Sequence, residues 1–130
     1  MIVVDASAVL EMLLNTETGR SLAERLLDPK ETLAAPQLLD VEVLQVLRRY
    51  ARTGSLDAMR GDQAVEDLSG LPLTRFPHGA LSRRVWELRD NLTAYDAVYV
   101  ALAEALDAPL LTRDRRLAAA PGHRARVELA

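Results

Sequence analysis

MIVVD, residues 1–5, running straight into ASAVLEML, residues 6–13, decides how this chain folds. Ile2, Val3 and Val4 are consecutive β-prone apolar residues without the alternation of a strand that has one wet face, so they read as a strand buried on both sides. Such strands belong to parallel sheets covered by helices. The strand stops at Asp5, and SAVLEMLL then carries its apolar residues at helical spacing. TETGRSLAERLL, residues 16–27, continues as a second helix through Leu22, Leu26 and Leu27 and pairs with the first as a hairpin.

The same alternation repeats outward. TLAAP is a short strand closed by its proline, and QLLDVEVLQVLRRYARTG a long helix ended by Gly54. SLDAMRGDQAVEDLSGL is a helix, PLTRFP a third strand and ALSRRVWELRD another helix. TAYDAVYVALAEAL is an alanine-rich helix, PLLTRD repeats the opening pattern of an apolar strand ending in an acid, RRLAA is a short helix, and RARVELA is an edge strand. The expected fold is α/β, a mostly parallel central sheet flanked by helices in three layers, with residues 1–130 as one domain.

Composition excludes several classes. With 49% hydrophobic and 27% charged residues, the chain can bury a core and is not a disordered segment. It has no cysteine, which removes disulfides, thiolate zinc sites and thiol nucleophiles. The start lacks a basic region and places Asp5 and Glu11 in its apolar stretch, and AVYVALAEALDAPLL is broken by Glu104, Asp107 and Pro109. A signal peptide and a membrane span are therefore not expected, and the expected address is the cytoplasm. A net charge of −3 gives no polybasic pull on nucleic acid. Arginine is grouped at Arg48, Arg49 and Arg52, at Arg83 and Arg84, and at Arg113, Arg115 and Arg116, which suits phosphate and equally suits solvated helix faces.

Ligands of open parallel sheets bind at the carboxyl ends of the strands, where Asp5 and Asp114 fall. Asp96 opens the helix that leads into the strand before Asp114. Glu42 lies in the first turns of the long helix, on the side of Leu38, Leu39, Val46 and Leu47. Each acid alone has a structural explanation: Asp5 and Asp114 as helix caps, Thr93 with Asp96 as a capping box, Glu42 paired with a buried arginine. Together on one sheet edge they repel, by about 4 kcal/mol per pair at 4 Å and an effective dielectric of 20, so they need a cation. Oxygen ligands without histidine or cysteine select Mg2+ or Mn2+, ions that promote phosphodiester hydrolysis.

Four blocks, MIVVDASAVLEML, PQLLDVEVLQVLRR, NLTAYDAVYVALAEAL and PLLTRDRRLA, in this order and spacing resemble PIN-domain ribonucleases, most closely the VapC toxins of type II toxin–antitoxin pairs. The resemblance implies an acidic metal site at Asp5, Glu42, Asp96 and Asp114, the four acids already selected. PIN proteins differ in whether the fourth acid touches the ion. It also implies that Ser7 and Thr112 orient metal ligands or their waters. An RNA substrate, a cognate VapB-like antitoxin and a homodimer follow from the same resemblance. The antitoxin is expected to reach the acids with an arginine and to lay a helix along Val9, Leu13, Leu22, Leu44 and Leu47.

Other readings fit less of the sequence. A receiver or haloacid-dehalogenase-like domain needs a second acid near Asp5, where Ala6 and Ser7 stand, and the receiver also needs a late lysine, whereas Lys30 lies in a turn. His78 and His123, in FPHGA and PGHRA, read as solvated turn histidines rather than the acid and base of a metal-free nuclease. Trp86, Tyr95 and Tyr99 read as core rather than as a stacking platform for RNA. A housekeeping PIN nuclease without an antitoxin, and a catalytically silent PIN-fold interaction module, remain the alternatives.

Overall fold

The computed structural model describes residues 1–130. Five parallel strands run in the order β3-β2-β1-β4-β5, with β1 at Ile2–Val4, β2 at Leu33–Pro36, β3 at Leu73–Phe76, β4 at Leu110–Thr112 and β5 at Val127–Leu129. The three residues of β1 are all buried, as its lack of alternation predicts. The helices are α1 (Ala6–Leu13), α2 (Glu17–Leu26), α3 (Leu38–Arg52), α4 (Ala58–Gly70), α5 (Ser82–Glu87), α6 (Ala94–Leu106) and α7 (Arg115–Ala119). A turn of 3-10 helix at Gly79–Leu81 leads into α5, which is shorter than ALSRRVWELRD suggests and ends just before the buried Leu88.

Helices α1 to α4 pack on one another and α5 packs on α6, while α6 lies against β1, β2 and β4. Right-handed crossovers account for this division, since β1, β2 and β3 step one way across the sheet and β4 and β5 step the other. In the hairpin of α1 and α2, a Cβ at Gly19 would stand 1.8 Å from the carbonyl oxygen of Glu11, so only glycine lets the helices meet this closely. Gly54 takes φ +81° just past α3, where it ends that helix as its position suggests.

Two expectations change. Val9, Leu13, Leu22 and Leu47 are not a groove: all four are buried in the core cluster, and of the proposed docking residues only Leu44 is exposed. They face inward because α1, α2 and α3 pack on one another, so the same apolar stripe serves the core. Val41, Leu44, Met59 and Val65 are the exposed large apolar residues of α3 and α4. Of the aromatics read as core, Tyr99 is buried but Trp86 and Tyr95 are exposed.

Candidate active site

The strand order reverses between β1 and β4, and a parallel sheet opens a crevice at that point. Register then brings the chemistry together. Val3 pairs with Leu110 and Val4 with Leu111, so the next residues, Asp5 and Thr112, meet side by side. The amide of Asp5 donates to the carbonyl of Leu111 at 3.2 Å.

Asp5 is 6% exposed, and both its oxygens are engaged. Oδ1 accepts the Ser7 hydroxyl at 2.6 Å and the amide of Ala8 at 3.1 Å, while Oδ2 accepts the hydroxyl of Thr112. Each hydroxyl is itself oriented by an amide from the loop after β4: Arg113 N donates to Ser7 Oγ at 2.9 Å, and Asp114 N to Thr112 Oγ1 at 2.9 Å. With an amide filling one acceptor site on each oxygen, the hydroxyl protons point at Asp5. The capping interpretation of Asp5 is therefore also correct, since Ala8 N belongs to the first turn of α1.

Glu42 does not pair with a buried arginine. Its Oε1 accepts the Tyr99 hydroxyl at 2.5 Å, a contact the sequence reading missed although Tyr99 stands three residues after Asp96 on the same helix face. Asp96 lies in the first turn of α6, whose N-cap Thr93 accepts its amide at 3.2 Å. Asp114 caps α7, its Oδ1 accepting Arg116 N at 2.8 Å and Leu117 N at 3.3 Å.

The acids act on one another electrostatically. Burial lifts the Asp5 carboxyl above its usual range against the pull of its hydrogen bonds. Burial also lifts Glu42, which Tyr99 opposes and the charges of Asp96 and Asp5 reinforce. Asp96 is raised by burial and then by Asp114 and Asp5, with Thr93 and Arg116 opposing. None of the four carboxylates is in an ion pair. Raised carboxylates at Asp5, Glu42 and Asp96 outside any ion pair are the donor set that a divalent cation would relieve.

No three of the acids converge closely enough to hold one ion directly among them. That arrangement still fits Mg2+, which binds through one or two carboxylates and keeps several waters. The histidines do not form a rival site. His78 is exposed beside the N-terminal end of α6, and His123 lies toward the other end of that helix, next to Arg124, whose amide bonds Glu104. His123 is not a solvated turn residue: Nδ1 accepts Ala125 N at 3.1 Å, and Nε2 is buried without a partner.

The family model described as PIN domain matches residues 2–122. A VapC ribonuclease, Mb0985, from Mycobacterium bovis is 48% identical over 117 residues, covering 90% of this chain and 88% of the relative. Ribonuclease VapC12 from Mycobacterium tuberculosis is 41% identical over 129 residues, covering 99% and 98%. Among solved structures, VapBC2 from Rickettsia felis, bound to a DNA fragment from their promoter, superposes with a TM-score of 0.71 at 16% identity, over 99% of this chain and 98% of that one. With a PIN-domain match over residues 2–122 and VapC relatives 41% and 48% identical over most of their length, the chain belongs to the PIN-domain family and, within it, to the VapC ribonucleases.

Proposed function

We propose that this chain is the toxin of a type II toxin–antitoxin pair and acts in the cytoplasm as a metal-dependent endoribonuclease, with residues 1–130 as one catalytic domain. The observation that carries this reading is the set of carboxylates at Asp5, Glu42 and Asp96, all raised by burial, with Glu42 and Asp96 raised further by neighbouring acids, and none of them in an ion pair. Asp5, Glu42, Asp96 and Asp114 would hold Mg2+ or Mn2+, one or two of them directly and the others through waters of the ion. Such an ion, when bound, makes water nucleophilic at neutral pH and stabilises the leaving oxygen of a phosphodiester.

The residues of the chain supply the orientation. Ser7 and Thr112 donate to the two oxygens of Asp5 and fix its carboxylate plane, and with Ala8 N also on Oδ1 the acceptor site left for a ligand is on Oδ2. Tyr99 holds Glu42 in the same way. Asp114 gives Oδ1 to the amides of α7, which leaves Oδ2 for the site. Arg116, beside Asp96, adds the one opposing charge that Asp96 feels. No helix is long and apolar enough to cross a membrane.

Incubating single-stranded RNA with the purified chain tests the activity. EDTA should abolish cutting, Mn2+ or Mg2+ should restore it, and products should carry 5'-phosphates. Undiminished cutting in EDTA, or 2',3'-cyclic phosphate ends, would overturn the mechanism. The partners follow the family: a VapB-like antitoxin carrying an arginine for the acids, and a second copy in a homodimer. Leu44 and Val65 line one groove with Asp40 and Arg75, which supplies the apolar docking surface. Growth arrest on expression alone, relieved by the adjacent small open reading frame, is the expected phenotype; a harmless protein that captures no such partner points to a housekeeping nuclease.

A further inference from the structure

The connection from β4 to α7 is only two residues long, Arg113 and Asp114, and it carries both amides that aim hydroxyls at Asp5. Arg113 N sits on Ser7 Oγ and Asp114 N on Thr112 Oγ1, each at 2.9 Å. Those two bonds cannot both hold the loop and be held by it, so the orientation of Asp5 depends on what anchors the loop from outside. The Asp114 side chain fixes one end by capping α7.

The Arg113 side chain fixes the other. Its Nη1 donates to Ala130 O at 2.7 Å, and its Nε stands 3.7 Å from Glu11 Oε1. The first bond is short and charge-assisted. The second, in a partly exposed pair, would be worth little alone, but the two together pin one guanidinium between separate elements. Both partners are themselves held. Ala130 N donates to Thr112 O at 2.8 Å, so the acceptor just beyond β5 hangs on the end of β4. Glu11 lies on α1, and its Oε2 accepts the hydroxyl of Thr16, the N-cap of α2, in the hairpin whose close approach requires Gly19.

This separates Arg113 from its neighbours. Of the three arginines grouped here, Arg115 and Arg116 enter no ion pair. Arg116 is the cation that acts on Asp96, whereas Arg113 commits its guanidinium to Glu11 and Ala130.

We infer that Arg113 is a positioning residue for the acidic site: its guanidinium clamps the loop after β4 to α1 and to Ala130, and the clamped loop sets the plane of the Asp5 carboxylate through Ser7 and Thr112. This rests on the reading of the acids as a metal site and deepens it, since a side chain that touches none of the four acids then tunes their hold on the ion.

Arg113→Ala in the full chain tests the clamp. In EDTA, hydrogen exchange at the Asp114 amide, followed by NMR, should quicken severalfold while the amides of β1 keep their wild-type rates. Calorimetric Mn2+ affinity should fall by about three- to tenfold, less than the roughly 10- to 100-fold that removing an outer hydrogen-bond partner such as Ser7 itself costs. Arg113→Lys, which keeps the charge and one of the two contacts, should recover part of the loss. Because Arg113 acts through Ser7, the Mn2+ losses of Arg113→Ala and Ser7→Ala should not multiply, and the double variant should bind nearly as Ser7→Ala does. Cleavage of RNA in Mn2+ well below saturation should show a lowered kcat with KM near the wild type. A lower melting temperature in Arg113→Ala with unchanged Asp114 exchange and unchanged Mn2+ affinity would assign the residue to stability alone and overturn the clamp. So would a raised KM at wild-type Mn2+ affinity, which makes Arg113 a contact for the RNA phosphate, and so would losses that multiply. A wild type that binds Mn2+ but cuts no RNA overturns the ribonuclease reading; the clamp then stands or falls on affinity and exchange alone.

Discussion

The Tyr99 hydroxyl donates to Oε1 of Glu42 at 2.5 Å, joining α6 to α3 over the carboxyl edge of the sheet. Burial, and then Glu42 itself, push the phenol far above its ordinary range, so its proton stays in place and is always offered to the carboxylate. Glu42 is thereby kept more acidic than its burial alone would allow. Tyr99→Phe removes that support. Mn2+ affinity should fall several-fold, the acid limb of the cleavage profile should move to higher pH, and stability should drop by about 1 kcal/mol for the lost hydrogen bond. Calorimetric Mn2+ titration checks this; wild-type affinity in Tyr99→Phe would remove Glu42 from the metal site.

Asp5→Asn and Asp96→Asn should both abolish cutting yet differ in stability. Two hydroxyls and an amide converge on Asp5, and an amide side chain turns one of those acceptors into a donor facing Thr112. In EDTA, Asp96→Asn should therefore melt at or above the wild type, because it relieves repulsion, and Asp5→Asn below Asp96→Asn. Calorimetric melting of the two variants decides it; the reverse order would contradict the hydroxyl geometry.

The metal-free protein should lose stability as pH rises. Asp5, Glu42 and Asp96 are all raised on folding, so the folded chain holds more protons than the unfolded one through that window, and unfolding becomes easier as pH climbs from the usual carboxylate range through the raised values. Glu104, held low by Arg84, works in the opposite direction, so the control is Asp96→Asn. Urea unfolding in EDTA between about pH 4 and pH 7 should show the wild type losing more stability than the variant. Mn2+ should abolish the difference from the neutral end by binding the ionised carboxylates.

Asp114 caps α7, and two substitutions separate that role from one in the metal site. Asp114→Ala removes the α7 cap and should cost about 1 kcal/mol, whereas Asp114→Ser keeps a capping oxygen without charge. If the acid serves the metal site, both variants cut poorly and only the alanine is destabilised. Full activity in Asp114→Ser would assign the residue to capping alone.

The strand and helix positions and the parallel α/β class were legible because they rest on local signals: an unalternating strand, a proline stop, helical apolar spacing between strands. What was not legible depends on which side of an apolar stripe packs inward. Val9, Leu13, Leu22 and Leu47 carry the same pattern whether they face a core or a partner, and they face the core. Tyr99 and Trp86 are alike as aromatics on helices, yet one is buried and the other exposed. The link from Tyr99 to Glu42 spans 57 positions, and no local period reports a contact across the sheet.

The crevice between β1 and β4 draws its acids from Asp5 at one end of the chain and Asp114 near the other. A nascent chain on the ribosome therefore lacks this crevice for most of translation, because Val3 and Val4 have no Leu110 and Leu111 to pair with until β4 is made. The hydroxyl of Thr112 reaches Asp5 only at that same late step, so the Asp5 carboxylate is fully oriented only when synthesis is nearly finished.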